Sequence, residues 1–264
     1  MTRETVWLHY VPGPTGTAVS HKPSYIDAFR AYWNTRPSSG HRDGSDQFYA
    51  GKAAEHAALL TNTERTCEAV DLGTGAGELL VHFRQAANVT AAQDLSQEML
   101  AKARARVQDD KIHFTNEDVF EFVSEARQPV WLACGSLNQY LHSQDQAKLL
   151  DAFSSNEHAR SLFYFDTIDP LRYRMWGLQL LESYVSVDAA ESGFRSVARR
   201  WKRALRLTSL VLFRPSHNSH VALGSMGFAY SPQFWHGVCA ARGLRCEIVS
   251  SRYYEYRYHV IVRK

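Results

Sequence analysis

The chain has 264 residues, 45% of them hydrophobic and 22% charged, which excludes a disordered or fibrous chain and leaves room for one α/β domain with an elaboration. A net charge of +3 is too small to imply a nucleic-acid partner by itself. Four cysteines, Cys67, Cys134, Cys239 and Cys246, form no C-x-x-C pair or zinc-type spacing with histidine, so no metal is expected. The cysteine usage, and the absence of a signal-type or membrane-length apolar run, predict a soluble cytoplasmic protein without a membrane partner.

In chain order, residues 1–22 read as a loose arm rich in Pro, Gly, Thr and Ser. "PSYIDAFRAYWNTR" reads as a helix capped by Ser24, "PSSGHRDGSD" as a loop, and "QFYAGKAAEHAALL" as a second helix. The pattern then alternates. "CEAVDL", "VTAAQDL", "KIHFTNED", "PVWLACGS" and "SLFYFDTID" read as strands. "GELLVHFRQAA", "SQEMLAKARARV", "VFEFVSEA" and "SQDQAKLLDAFSS" read as the helices between them. Such alternation means a parallel sheet covered on both faces. It breaks over residues 171–230, where "LTSLVLF" and "HVALGSMGFAY" read as two strands around a turn at "RPSHNSH". It resumes with the helix "SPQFWHGVCAARG", capped by Ser231 with Pro232 at its first position and Gly243 at its end. "LRCEIVSS" and "YRYHVIVRK" read as a terminal antiparallel hairpin. The expected organisation is an N-terminal arm and helices over 1–64, a core over 65–170, an inserted lid over 171–230, and the end of the core over 231–264.

"AVDLGTGAGELL" carries the first chemical signal, three alternating glycines after Asp71. A P-loop requires Gly-Lys where Glu78 and Leu79 stand, and a dinucleotide fingerprint requires its third glycine where Glu78 stands. An acid at a helix start also opposes a pyrophosphate. A nucleoside ligand without phosphate fits better, and S-adenosylmethionine (SAM) is one, with an ammonium that Asp71 can attract. Asp94 and Asp118 fall at the ends of the second and third strands, and Cys134 to Ser136 at the tip of the fourth. A carboxylate at the position of Asp94 can accept both ribose hydroxyls, and one at Asp118 the adenine amino group; each can equally cap a helix.

"VDLGTGAGELL", "DLSQEMLAKARARV", "NEDV" and "CGSLNQYLHSQDQAKLLDAF" together resemble the ordered motifs of class I SAM-dependent methyltransferases, and the last of them the branch acting largely on small molecules. The resemblance covers about residues 65–170 and 228–264. It lacks the family's Pro-Gly-Gly turn before the fifth strand, where "NEHARSLFYF" stands, and the acid opening the fourth, where "RQPVW" stands. No Asn-Pro-Pro-Tyr-type tetrapeptide follows the fourth strand, which argues against nucleic-acid or protein amine substrates. The resemblance implies a Rossmann-like seven-stranded sheet of order 3-2-1-4-5-7-6 with strand 7 antiparallel, SAM as cofactor and S-adenosylhomocysteine (SAH) as product. It places Gly73, Thr74, Gly75 and Gly77 under the methionine part, Asp94 on the ribose, Leu95 and Met99 beside the adenine, Asp118 and Val119 at its edge, and Cys134, Gly135 and Ser136 near the sulfonium.

Methyl transfer from a sulfonium needs alignment and exclusion of water, and a base only where the acceptor must lose a proton early. Tyr140, His142 and Asp166 are the candidates for catalysis. Asn138, Tyr140, Tyr32, Arg36 and Tyr49 are the candidates for substrate contact, and His142 alternatively caps the helix that follows it. The expected reaction is transfer of a methyl group to N or O of a small aromatic or heterocyclic metabolite by a monomer or homodimer. The alternatives are a non-methylating reaction on the same fold, or an RNA-modifying or RNA-binding role through the basic stretch Arg195 to Arg206, which fits a helix and a strand equally.

Overall fold

A computed structural model describes residues 25–35, 45–133, 137–177, 181, 220–223 and 227–264. Seven strands form one sheet: β1 (Ala69–Leu72), β2 (Val89–Gln93), β3 (His113–Thr115), β4 (Val130–Ala133), β5 (Ser161–Ile168), and near the C-terminus β8 (Arg245–Ser250) and β9 (Arg257–Arg263). Their order is β3-β2-β1-β4-β5-β9-β8. The first five are parallel, and β9 runs antiparallel to β5 and β8. Numbered within the sheet alone, this is the expected 3-2-1-4-5-7-6 with strand 7 antiparallel.

The ten described helices are α1 (Tyr25–Asn34), α2 (Asp46–Ala58), α3 (Asn62–Thr66), α4 (Leu80–Phe83), α5 (Gln97–Val107), α6 (Val119–Glu125), α7 (Leu137–Tyr140), α8 (Ser143–Ser155), α9 (Pro170–Gly177) and α10 (Pro232–Ala240). The central strands are buried on both faces, as an apolar strand between two helical layers must be. Alternate residues divide them between two cores. Val70, Trp131, Leu162 and Tyr164 pack with Leu149 and Phe153 of α8 and Trp235 of α10. Val130, Leu132, Phe163 and Phe165 pack with Ala53 and Ala57 of α2 and with Phe83 of α4.

Local chemistry sets the helix starts. The Ser45 side chain accepts the Phe48 N–H, Ser96 the Met99 N–H and Ser231 the Phe234 N–H, each at 3.2 Å. Thr61 and Glu64 form a reciprocal capping box on α3, a helix too short to show periodicity in the sequence. Asp118 caps α6 through Phe120 N–H.

Two elements differ from expectation. The helix expected from Gly77 begins only at Leu80 and ends at Phe83, because the glycine loop closes in a turn, Gly77 N–H to Thr74 carbonyl, before the helix can start. The single strand expected over "HVALGSMGFAY" is instead a hairpin of β6 (His220–Ala222) and β7 (Phe228–Tyr230), paired with itself. Gly227, at φ +80, closes it, and the Leu223 N–H donates to the Gly227 carbonyl at 2.7 Å. A Cβ on Gly227 would lie 1.9 Å from the Gln139 carbonyl oxygen, so the hairpin rests directly on α7. The Ser24 cap, the strand "LTSLVLF" and the stretch Arg195 to Arg206 lie outside the described residues.

Candidate active site

The carboxyl ends of β1, β2 and β4 converge on the glycine loop. Gly73, Gly75 and Gly77 all adopt positive φ, at +70, +59 and +74. The loop is stitched to β2: Gly73 and Thr74 N–H donate to the Gln93 carbonyl at 2.8 and 2.9 Å. The Gln93 side chain adds a second tie, its Oε1 accepting Gly73 N–H at 3.2 Å while its Nε2 donates to the Glu117 carbonyl at 2.6 Å. Gln93 therefore holds the loop after β1 to the loop after β3. A Cβ on Gly73 would sit 3.0 Å from Leu137 Cβ, so only glycine brings this backbone up against α7.

Asp94 stands one residue past β2. Its Oδ2 accepts Gly75 N–H at 2.8 Å and its Oδ1 accepts Ser96 N–H at 2.8 Å. Burial raises its pKa, against the pull of these amide donors. The Leu95 N–H also acts on this carboxylate, so three backbone amides use most of its acceptor sites. Asn116 braces the same corner by donating to the Asp94 and Leu95 carbonyls at 3.0 and 2.9 Å.

The other candidates sit around this corner. Asp71 is 2% exposed at the end of β1, and Thr74 is 7% exposed. The Thr74 hydroxyl is buried without a hydrogen-bond partner among the described residues. Leu95 is half-buried, whereas Met99 is 1% exposed, which places it behind the surface of the site. Asp118 spends Oδ1 on the Phe120 N–H at 2.8 Å, and Val119 is 6% exposed. Cys134, Gly135, Ser136 and Arg36 lie outside the described residues. Glu78, buried 3.3 Å from Arg106, places an acid beside the loop.

Helices α1, α2 and α7 pack around the same corner. Asn34 of α1 accepts from the Ser96 hydroxyl at 2.6 Å. Trp33 meets Tyr140 edge-on with centroids 5.6 Å apart, and Tyr32, 41% exposed, packs on Trp33 at 5.2 Å. Tyr49 of α2 is buried, and burial together with nearby Glu78 pushes its pKa up to about 12, so its hydroxyl stays protonated. His142 caps α8, its Nδ1 lying 3.5 Å from Gln144 N, and its ring packs edge-on against Phe228 of β7.

Asn138 is 1% exposed, and its Nδ2 donates to Thr167 Oγ1 of β5 at 2.6 Å. Its Oδ1 is buried without a hydrogen-bond partner among the described residues. Asp166, next to Thr167, is 1% exposed and faces α2. There it pairs with the Lys52 ammonium and lies 3.5 Å from His56 Nε2. Burial alone would raise its pKa; Lys52 and His56 hold it well below the ordinary carboxylate range. Such a carboxylate is a weak base, and it is spent on an internal cation. Glu55, His56, Asp166 and His259 place potential ligand atoms within 4.8 Å of one another, and Lys52 already supplies the positive charge among them.

The site as a whole suits a nucleoside with an aminoacyl arm. Positive-φ glycines bring the backbone close, a carboxylate stands just past the end of β2, and a hydroxyl without a hydrogen-bond partner among the described residues lines the loop. That arrangement defines the Rossmann-like nucleoside-binding class. Within the chain, residues 69–156 match the family model described as a methyltransferase domain. Among solved structures, magnesium protoporphyrin IX methyltransferase from Synechocystis with bound SAH aligns at 14% identity over 91% of this chain and 99% of its own, TM-score 0.52. A DhpI–SAM–HEP complex aligns at 17% identity over 93% and 100%, TM-score 0.56. DesVI of Streptomyces venezuelae aligns at 16% identity over 81% and 91%, TM-score 0.51. These similarities show the shared fold. No curated protein matches the sequence.

Proposed function

We propose that the protein transfers a methyl group from SAM to N or O of a small aromatic or heterocyclic metabolite. The observation that carries the reading is the positive-φ glycine loop locked to Asp94 at the carboxyl edge of the sheet. SAM supplies a methyl group already activated on a sulfonium. The protein's part is then to hold the donor, align the acceptor and keep water out.

In this reading Gly73, Gly75 and Gly77 run beneath the methionine arm, with Asp71 and the Thr74 hydroxyl taking its polar groups. Asp94 takes the ribose hydroxyls, Leu95 faces the adenine with Met99 behind it, and Asp118 and Val119 meet its edge. Cys134, Gly135 and Ser136 border the sulfonium. Asn138, Tyr140 and Tyr49 contact the acceptor, with Tyr32 and Arg36 at the entrance. Tyr140 and His142 are the remaining candidates for a base, and Asp166 serves structure. In this reading 65–170 and 231–264 form the SAM-binding core, 1–64 an N-terminal arm with helices, and 171–230 an inserted substrate lid. Among the described residues no helix is long and apolar enough to cross a membrane; we read the enzyme as cytoplasmic, and as a monomer or homodimer.

The test is to incubate the protein with SAM and pooled small aromatic amines and phenols, and to follow SAH by mass spectrometry. SAH formed in step with a product heavier by one methylene supports the reading. Failure of SAM and SAH to bind at all refutes it.

A further inference from the structure

Strand β5 carries a bulge that changes which face its last residues present. Tyr164 pairs with Val260 of β9 and Thr167 with Tyr258, so three steps on β5 oppose two on β9. The extra residue is Asp166, which adopts φ +58, the left-handed region, in a fully buried strand. A non-glycine residue held there is strained and persists only where its surroundings dictate it.

The dictating contacts come from α2 and β9. Lys52 bonds the Asp166 carboxylate and lies 3.7 Å from Glu55. His56 stacks on Phe165 with centroids 4.0 Å apart and reaches Asp166. The Asp166 N–H donates to His259 Nδ1 at 3.3 Å; His259 Nε2 therefore carries the ring proton and faces Glu55 Oε1 at 3.2 Å. Arg257 donates to the Asp166 carbonyl at 3.2 Å. Carboxylate, N–H and carbonyl of one residue are thus all held.

Strict alternation would send residue 166 to the face of Tyr164 and residue 167 to the face of Phe165. The bulge reverses both. Asp166 joins Phe165 on the α2 side, and Thr167 turns to the other side, where its hydroxyl accepts from Asn138. Asn138 follows the tip of β4 and keeps its Oδ1 buried and unpartnered among the described residues. A buried ion pair contributes little net stability over apolar packing, so its value here lies in specifying a conformation.

We propose that Lys52 and Asp166 are a positioning pair: by pinning the β5 bulge they turn Thr167 to orient the Asn138 amide, whose free end then hydrogen-bonds the methyl acceptor. This rests on the methyltransferase reading for the role of Asn138, while the link from Lys52 to Asn138 stands by itself.

The experiment is nitrogen–proton NMR of the side-chain amide of Asn138, assigned by its loss in Asn138→Ala, with SAH binding to the wild type measured by calorimetry. Thr167→Val removes the amide's partner and gives the reference shift. The paired change Lys52→Met with Asp166→Val leaves no unpaired buried charge and puts a β-branched residue where φ is positive; a cooperative melt confirms that it folds. The expected result is the Asn138 amide displaced as in Thr167→Val, with no further displacement when the changes are combined. Asp166→Asn, which tolerates the left-handed region and keeps an acceptor for Lys52, should return the resonance to near its wild-type position. A folded Lys52→Met, Asp166→Val protein with the Asn138 amide unmoved would overturn the positioning pair. Absence of SAH binding to the wild type would instead overturn the function on which the acceptor contact depends.

Discussion

Asp94 Oδ2 takes the Gly75 amide proton at 2.8 Å, tying the acid after β2 to the middle glycine of the loop after β1. One carboxylate thereby shapes the glycine loop and, in the proposed reading, also holds the ligand. Asp94→Ala removes both tasks, and Asp94→Asn keeps an acceptor for one of them. A hydrogen bond to a charged group contributes about 1.5–3 kcal/mol, so Asp94→Ala should weaken SAH binding by roughly 10- to 100-fold, and Asp94→Asn by less. Isothermal calorimetry with SAH reads this directly; unchanged affinity in Asp94→Ala would remove the residue from the site.

Helix α1 spans the opening from Asn34, bonded to Ser96, to Trp33, packed on Tyr140. These contacts touch the adenine corner and the post-β4 segment at once. Trp33→Ala should hasten SAH release while leaving the melting temperature close to that of the wild type, because Trp33 is only half-buried and outside the sheet cores. Stopped-flow displacement of SAH measures the rate. An unchanged dissociation rate would mean that α1 packs without closing the site.

The parts legible in the sequence are those written within a few residues. Alternating glycines after a buried strand, an acid at its neighbour's end, and Ser96 before an apolar stripe each act through local backbone geometry. Gln93 and Asn116, which brace the same corner, carried only the weak signal of polar residues at the ends of strands. The cluster around Asp166 was invisible for a different reason. Lys52 lies 114 residues from Asp166 in sequence, and His259 lies 93 from it, so no spacing announces the group. Asp166 read as a candidate for catalysis near a strand tip; the structure makes it an internal anion paired with Lys52. The β6–β7 hairpin was hidden because "HVALGSMGFAY" reads as one apolar run, although it folds back on itself and pairs with itself.

Gly227 tests whether that hairpin matters to the site. At φ +80, and with Gln139 backbone where a Cβ would go, Gly227→Ala cannot be accommodated without moving the hairpin off α7. The left-handed conformation alone costs about 1–2 kcal/mol for a residue with a Cβ. Gly227→Ala should therefore lower the thermal midpoint by several degrees and weaken SAH binding through displacement of α7. Gly177→Ala, where a Cβ meets nothing within 4 Å, should change neither. Circular-dichroism melts and calorimetry of the two variants decide it.

The buried cluster also predicts how acid acts on the protein. His56 is 0% exposed, and burial pushes its pKa down to about 4 from an ordinary 6.5. Between those values the unfolded chain binds a proton that the folded chain refuses, so stability falls as the pH is lowered through this window. A shift of that size corresponds to about 3 kcal/mol lost between neutral pH and pH ~4. Glu55 and Asp166 add the same sign lower down: both are held below the ordinary range, Asp166 well below it, so their contribution disappears as they protonate. Replacing the ring by a group that does not titrate should flatten the upper part of the profile. In His56→Phe, which retains the stack on Phe165, urea midpoints should change less between pH 7 and 5 than in the wild type, although the absolute stability drops because Asp166 loses a neighbour. Equal slopes for the two proteins would show that acid acts elsewhere.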